Sequence, residues 1–425
     1  MSTQALIKRI HGLLRNSETI RTAYHKIQDA VQGPPSYDIS EVTPVNARTD
    51  ACDHGALRLN LLVPSVDQKH VFGGIATAVR FFEQLVAACD CEARVIAVDA
   101  PVVPEASTLH SRYTIVSSQE DSEARYQLVG YSDRYQKTIP VRKNDVFVVT
   151  AWWTAYTIKS VIAWQAQTFC EEMHPLIYLI QDYEPGFYAW SSRYLMADST
   201  YRLEQPVYAI FNSKLLKEFF DKNGYHFTKS WYFDPVLNNK LKEFLPDDGT
   251  IVPKKKQIIL YGRPGTMRNA FEVVVSALKI WVWQQPDIDQ WTICSAGETH
   301  PDVDLGNGKV LRSVGKLTLE EYAQMMLDTY AGISLMVSPH PSYPPLEMAT
   351  FGIRTITNCY DNKDLCEFSD KMVSLKQCAP ENVAQSLLEL CSNYAGQSAM
   401  HYNEAYINGS DEFGTSVEEI AKTLR

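Results

Sequence analysis

A chain of 425 residues is too long for one ordinary core and suits two domains. A net charge of -10 with no broad basic block excludes a nucleic-acid binder, and 45% hydrophobic with 21% charged residues is ordinary soluble, globular composition. Nine cysteines, an odd count without metal-type spacing, read as reduced thiols of a cytoplasmic protein; Cys89 and Cys91 alternate and cannot form a C-x-x-C site. No apolar run reaches the roughly 18–20 residues of a transmembrane helix, and Lys8, Arg9 and Arg15 interrupt the apolar start, so no signal peptide is expected.

Residues 1–32 are predicted helical, with Leu6, Ile7, Ile10, Leu13 and Leu14 on one face and Lys8, Arg9, Arg15, Arg21 and Lys26 making it basic. Such a helix suits an anionic membrane surface, and equally a seat on its own protein body. Residues 33–56 carry Pro34, Pro35, Pro44 and Gly55 and read as an extended linker. Leu57–Pro64 is the first strand. The pair Gly73-Gly74 then opens an amphipathic helix, as βαβ units do, letting a ligand approach backbone N–H groups; a tight turn without a ligand competes. Strands follow at Glu92–Val98, Asp145–Thr150, Pro175–Ile180 and Val207–Phe211. Two of them run into Ala151-Trp-Trp-Thr-Ala155 and Gln181-Asp-Tyr-Glu-Pro-Gly-Phe-Tyr188. Aromatic faces beside Asp182 and Glu184, past a strand's carboxyl end, suit a sugar site; an aromatic packing surface between domains is the other reading. Asn212-Ser213 can cap the next helix.

Polar residues 238–256 are placed as the domain hinge. A second α/β series starts at Gln257-Ile-Ile-Leu-Tyr261 and runs into Gly262-Arg-Pro-Gly-Thr-Met-Arg-Asn-Ala270, before the helix Phe271–Trp283. Arg263 and Arg268 in one strand-to-helix loop suit a diphosphate, because the planar guanidinium fork matches phosphate oxygens; a solvated turn would not need both. Strands Gln290–Gly297 and Val310–Thr318 and the helix Leu319–Met326 follow. The buried strand Ala331–Val337 then enters Ser338-Pro-His-Pro-Ser-Tyr-Pro-Pro-Leu-Glu-Met-Ala-Thr-Phe-Gly352. Its prolines forbid helix and sheet up to Pro345, which pre-sets a helix that Gly352 ends, with Glu347 in the first turn. This makes either an anion site or a stiff connection with a capping Glu. Arg354–Asn358 is a further strand, and about 380–425 is predicted helical. Alternating strands and helices imply parallel sheets in both halves.

Several of these segments, in this order, resemble a family. Gly262-Arg263 with Arg268 five positions on is similar to the GR-x4-K phosphate clamp of glycosyltransferase family 4. Val314-Gly315-Lys316-Leu317 resembles the segment whose backbone meets the nucleobase there. Pro339 to Glu347 resembles the E-x7-E helix region, Gly73-Gly74 the glycine loop and Phe211-Asn-Ser the "NS" corner. The proline stretch, with Tyr261-Gly-Arg-Pro264 and Gln181-Asp-Tyr-Glu-Pro185, resembles most nearly the WsaF-type rhamnosyltransferases. The resemblance implies an α/β GT-B fold: two Rossmann-like doubly wound parallel-sheet domains facing across a cleft, with an N-terminal helical extension. The expected division is 1–56 extension and linker, 57–240 acceptor domain, 241–400 donor domain, and 401–425 a C-terminal helix crossing back to the N-terminal domain.

The implied activity is transfer of a sugar, L-rhamnose from dTDP-β-L-rhamnose, onto a growing bacterial surface polysaccharide, with retention of configuration. Arg263 and Arg268 would stabilise the departing diphosphate without a metal; Asp182 or Glu184 would stabilise the cation-like anomeric carbon or position the acceptor. Donor contacts are expected from Gly73, Gly74, Gly262, Arg263, Arg268, Gly315, Lys316, Leu317, His340, Ser342, Tyr343, Pro344 and Glu347. Neither cofactor nor metal is expected; the partners are a nucleotide-sugar donor, a glycan or lipid-linked glycan acceptor, and the inner face of the membrane through residues 1–32. The sequence departs from the family where Pro339 replaces the first Glu of E-x7-E, which fits a donor lacking the usual hydroxyl pattern, such as a 6-deoxy sugar. That departure also fits a non-catalytic sugar-nucleotide or glycan-binding subunit, and a GT-B-type epimerase is the other alternative.

Overall fold

The structure, a computed structural model, describes residues 38–67, 73–107, 109, 111–135, 137–409 and 413–424. The expected helix over 1–32, and the membrane contact assigned to it, lie outside the described residues. The chain forms two units, residues 1–43 and 44–425. Of the first, the described part holds a single 3-10 turn, Ser40–Val42.

The second unit is built on apolar runs that the sequence marks as fully buried strands. In the first half these are β1 (Asn46–Thr49), β2 (Arg58–Val63), β3 (Glu92–Ala97), β4 (Thr114–Val116), β5 (Tyr126–Gly130), β6 (Thr138–Val141), β7 (Asp145–Val149), β8 (Leu176–Ile180), β9 (Val207–Phe211) and β10 (Lys229–Tyr232). Eight form a sheet of order β10-β9-β8-β7-β2-β3-β5-β4, parallel throughout. Every residue of β2, β7, β8 and β9 is buried, as strands covered on both faces must be. The second half adds β11 (Ile251–Pro253), β12 (Lys255–Gly262), β13 (Thr292–Gly297), β14 (Val303–Gly306), β15 (Lys309–Gly315), β16 (Thr329–Ile333), β17 (Arg354–Asn358), β18 (Met372–Leu375) and β19 (Gln397–Ala399). Seven of these make a second sheet, β14-β15-β13-β12-β16-β17-β18, parallel except for edge strand β14. Two buried clusters flank each sheet.

Both sheets reverse their strand order beside the first strand of the series, between β2 and β7 and between β12 and β16. Such a reversal opens a crevice past the carboxyl ends of the strands. The loops at these points are the ones singled out in the sequence: Gly73-Gly74 and Thr150–Trp153 in the first lobe, Gly262–Arg268 and Ser334–Ser342 in the second.

Three segments differ from the sequence reading. The linker over 33–56 contains β1, which pairs with β6, and a buried Asp50. Asp50 joins a charge cluster at the amino ends of β2, β3 and β7. Arg58 grips Asp145 through Nε and Nη2, both at 2.7 Å, and reaches Asp50 at 3.2 Å. Arg142 bonds Asp50 at 2.8 Å and Glu92 at 2.6 Å, while Arg94 donates to Asn60 Oδ1 and the Pro140 carbonyl, both at 2.7 Å. The hinge segment contributes β11, paired with β19, and a buried Lys254 whose Nζ meets the carbonyls of Met326 and Phe351. The tail after 380 is broken: helix Pro380–Ser392 ends ahead of Gly396 (φ 67°), then come β19 and the helices Glu404–Asn408 and Gly414–Leu424. That last helix lies on the first lobe. Phe413, Val417, Ile420 and Ala421 enter the core under helix Gly74–Cys89, and Trp231 donates to Glu419 at 2.7 Å.

Candidate functional site

The second-lobe loop begins with Gly262, which any side chain would disrupt: a Cβ there would lie 1.9 Å from Ser295 Oγ. Arg263 follows, and its Nε donates to Glu298 Oε1 at 3.2 Å. The same carboxylate accepts from Gly265 N–H at 2.7 Å and from Thr266 Oγ at 3.4 Å, so Glu298 shapes the loop as well as the guanidinium. The Arg263 side chain also meets the Tyr261 hydroxyl, so Glu298 and Tyr261 together hold its guanidinium. The loop closes with a 3-10 turn, Met267–Asn269, before helix Phe271–Gln284. It is tied to the proline loop by the Arg268 carbonyl, which accepts from Val337 N–H at 2.7 Å, and by Asn269, which donates to the Leu335 carbonyl at 3.1 Å.

The proline loop leaves β16 and crosses toward the first lobe. Asn358 holds Met336 by both its N–H and its carbonyl, and Lys363 donates to that carbonyl at 2.6 Å. Ser338 accepts from His340 N–H at 3.0 Å, and Ser342 N–H donates to His340 Nδ1 at 3.0 Å. Ser342 itself sits at φ 70°, in the left-handed region. The chain reverses there, so the helix starts at Tyr343 and runs to Thr350, with Pro344 and Pro345 in its first turn, where no N–H is needed. Glu347 is therefore the fifth residue of the helix, two residues further in than the first-turn position expected from Pro345. Burial pushes its carboxyl up to about 7, with the neighbouring Tyr322 hydroxyl pulling the other way. Tyr261 feels Arg263, Arg268 and Glu347 together, which gathers these three expected site residues about one phenol ring.

The first lobe answers with the loop after β8. Asp182 accepts from the Ser338 hydroxyl and lies 3.4 Å from Arg268 Nε. The Arg268 guanidinium rests 4.1 Å from the centre of the Phe187 ring. Glu184 takes the Trp152 N–H, at the start of helix Trp152–Phe169. Burial, opposed by that hydrogen bond, pushes its carboxyl up to about 8; Asp182 is the acidic side chain that faces Arg268. Trp152 Nε1 bonds the Tyr188 hydroxyl at 2.9 Å, completing an aromatic wall.

The two lobes thus bring Asp182, Arg268, Ser338 and His340 to one place, with Glu184 behind Asp182 and Arg263 further along the same loop. Gly74 lies beside Gln181, whose Oε1 would be 2.9 Å from a Cβ there; Gly73 adopts φ 48° at the same helix start. Gly315, at φ 66° and pressed against Thr299, ends β15 two strands from β12; Lys316 beyond it is exposed, and Leu317 is half-buried. Among the described residues no group of three His, Cys, Asp or Glu side chains is arranged to hold a metal ion. No described helix is long and apolar enough to cross a membrane.

Two residues here escaped the sequence reading. Glu298 follows Gly297 at the carboxyl end of β13, a position that could have flagged it. Lys363 had no signal: its burial and its contact with Met336 exist only in three dimensions.

Residues 58–214 match the family profile described as WsaF, N-terminal domain, and residues 256–388 match WsaF, C-terminal domain. The O-antigen biosynthesis protein RfbC of Myxococcus xanthus is 26% identical over 287 residues, covering 66% of this chain; the chain spans about a fifth (20%) of that relative's length. Among solved structures, a sucrose-phosphate synthase from Thermosynechococcus elongatus is similar with a TM-score of 0.47 and 13% identity, covering 87% of this chain and 94% of its own. WaaG, a glycosyltransferase involved in lipopolysaccharide biosynthesis, is similar with a TM-score of 0.49 and 12% identity, covering 86% of this chain and 99% of its own. With both of its lobes matched, the chain belongs to the WsaF family.

Proposed function

We propose that this chain transfers L-rhamnose from dTDP-β-L-rhamnose to a glycan or lipid-linked glycan acceptor during bacterial surface-polysaccharide synthesis. The observation that carries the reading is the pair Arg263 and Arg268 on one loop at the second lobe's crevice, with Asp182 of the first lobe across from them. Breaking the bond between the anomeric carbon and the diphosphate leaves negative charge on the phosphates. Two fixed guanidiniums beside a half-excluded crevice stabilise that charge where it develops, and this is the basis for assigning a metal-independent reaction. Glu347, between buried phenols, is the candidate for the nucleoside hydroxyls, and backbone groups of Gly315, Lys316 and Leu317 for the base. Asp182 is placed to stabilise the cation-like anomeric carbon or to orient the acceptor hydroxyl. Retention of configuration follows from the family resemblance. The sugar and nucleotide rest on that resemblance too, and the polysaccharide context is also that of the RfbC relative.

The test is thermal unfolding with dTDP, UDP, GDP and their sugars, because a ligand that binds the native state raises Tm. The expected result is stabilisation by dTDP and dTDP-L-rhamnose, slow dTDP release that persists in EDTA, and loss of both on Arg263→Ala. Equal binding of dTDP by the Ala variant would remove Arg263 from the clamp. Binding of dTDP-L-rhamnose without any dTDP release, with acceptor present, would point to a binding subunit instead.

A further inference from the structure

His340 stands between Pro339 and Pro341 and is 6% exposed. Its ring is assigned by its contacts. Ser342 N–H donates to Nδ1, so Nδ1 carries no proton. A neutral ring with a bare Nδ1 keeps its proton on Nε2. Burial holds the ring neutral, down to about 4, against the pull of Asp182 and with the help of Lys363 and Arg268. Nε2 is buried and has no hydrogen-bond partner. The ring therefore presents a fixed N–H donor with nothing to accept it. The flanking prolines restrict the backbone on both sides, and the Ser342 N–H holds the ring at Nδ1. Ser342, two residues on, holds a left-handed backbone without being glycine. An unpaired buried donor and a strained backbone are both unfavourable, and together they persist where a ligand offsets them.

We propose that the Nε2–H of His340 donates a hydrogen bond to an oxygen of the sugar in the bound nucleotide sugar, and so distinguishes the loaded donor from the free nucleotide. This rests on the donor reading above. The loop position supports the assignment. The His340 ring is within electrostatic reach of both Arg268, the clamp residue nearest the first lobe, and Asp182, and its own N–H bonds the Ser338 hydroxyl that meets Asp182.

The experiment is calorimetric titration of the full chain with dTDP and with dTDP-L-rhamnose, for wild type, His340→Phe and His340→Gln, with thermal unfolding of each. His340→Phe is expected to weaken dTDP-L-rhamnose about five- to tenfold while changing dTDP by less than about twofold, and His340→Gln, which keeps a side-chain N–H, to recover part of the loss. A readout that needs no variant is the nitrogen and proton spectrum of wild-type protein labelled at histidine. One Nε2 proton should move on addition of dTDP-L-rhamnose and stay put with dTDP. Equal losses for both ligands, no loss for either, or an unmoved Nε2 proton would overturn the role of His340 while leaving the donor reading intact. Wild-type protein that binds neither ligand would remove the donor reading itself, and this assignment with it.

Discussion

The two ends of the first sheet treat charge in opposite ways. At the amino ends of β2, β3 and β7, three buried arginines meet three carboxylates with nearly every lone pair and proton used. Burial alone would raise the Asp145 carboxyl, yet Arg58 and Arg94 beside it hold it below its ordinary value. At the carboxyl ends, where the second lobe approaches, Asn212 Oδ1 and His340 Nε2 are buried without hydrogen-bond partners, and Arg268 Nε meets only Asp182, at 3.4 Å. A satisfied buried network specifies a fold; an unpaired buried group leaves room for a further partner. The difference separates residues that hold the molecule together from those proposed to meet a ligand, although both sets are polar in the sequence.

The comparison breaks first at Asp145. Asp145→Ala leaves Arg58 buried without its partner and should lower stability by about 3–5 kcal/mol in chemical denaturation, while nucleotide affinity of the folded fraction stays unchanged. A loss below about 1 kcal/mol would mean that water reaches this network. At the other end, Arg263→Ala should weaken dTDP binding by about 10- to 100-fold, the range for a charge-assisted hydrogen bond of about 1.5–3 kcal/mol, and leave Tm in place. A comparable fall in stability would make Arg263 structural.

A third measurement uses pH. Glu184 titrates at about 8 in the folded chain against an ordinary 4.5, so the folded state binds the extra proton between those values. Stability should therefore fall as pH rises through that window, by no more than about 1.4 kcal/mol per pH unit for one proton. Glu184→Gln should flatten that part of the profile; an unchanged slope would place the titration elsewhere. The smallest effect is at Glu298. Because it acts by holding Arg263, Glu298→Gln should weaken dTDP by about fivefold in the wild-type background and add nothing once Arg263→Ala is present. Additive losses would give Glu298 an independent role.

Much of the architecture was legible because fully covered parallel strands must be continuous apolar runs, and Leu61–Val63, Val146–Val149 and Leu176–Ile180 are such runs. The loops were legible because glycine, proline and arginine have few reasons to crowd a strand's carboxyl end. The four-residue β1 was missed because Asn46-Ala-Arg-Thr49 is half-exposed and looks like any polar linker. Arg58 and Arg94 in the middle of apolar runs gave no warning of burial, since their partners lie far along the chain: Asp145 is 87 residues from Arg58 and 51 from Arg94. The start of the helix carrying Glu347 was misplaced because Ser342 adopts a backbone angle that its residue type does not announce. For β1 and the two arginines the missing information was a contact between distant segments; for Ser342 it was a local backbone angle.

The seat of the final helix bears on how the protein is made. Phe413, Val417 and Ile420 close the core beneath the first lobe's leading helix, so the half of the protein synthesised first lacks part of its interior until these residues have been made. An excised first half should emerge from cells aggregated or degraded, and co-expression of the last segment as a separate peptide should rescue it.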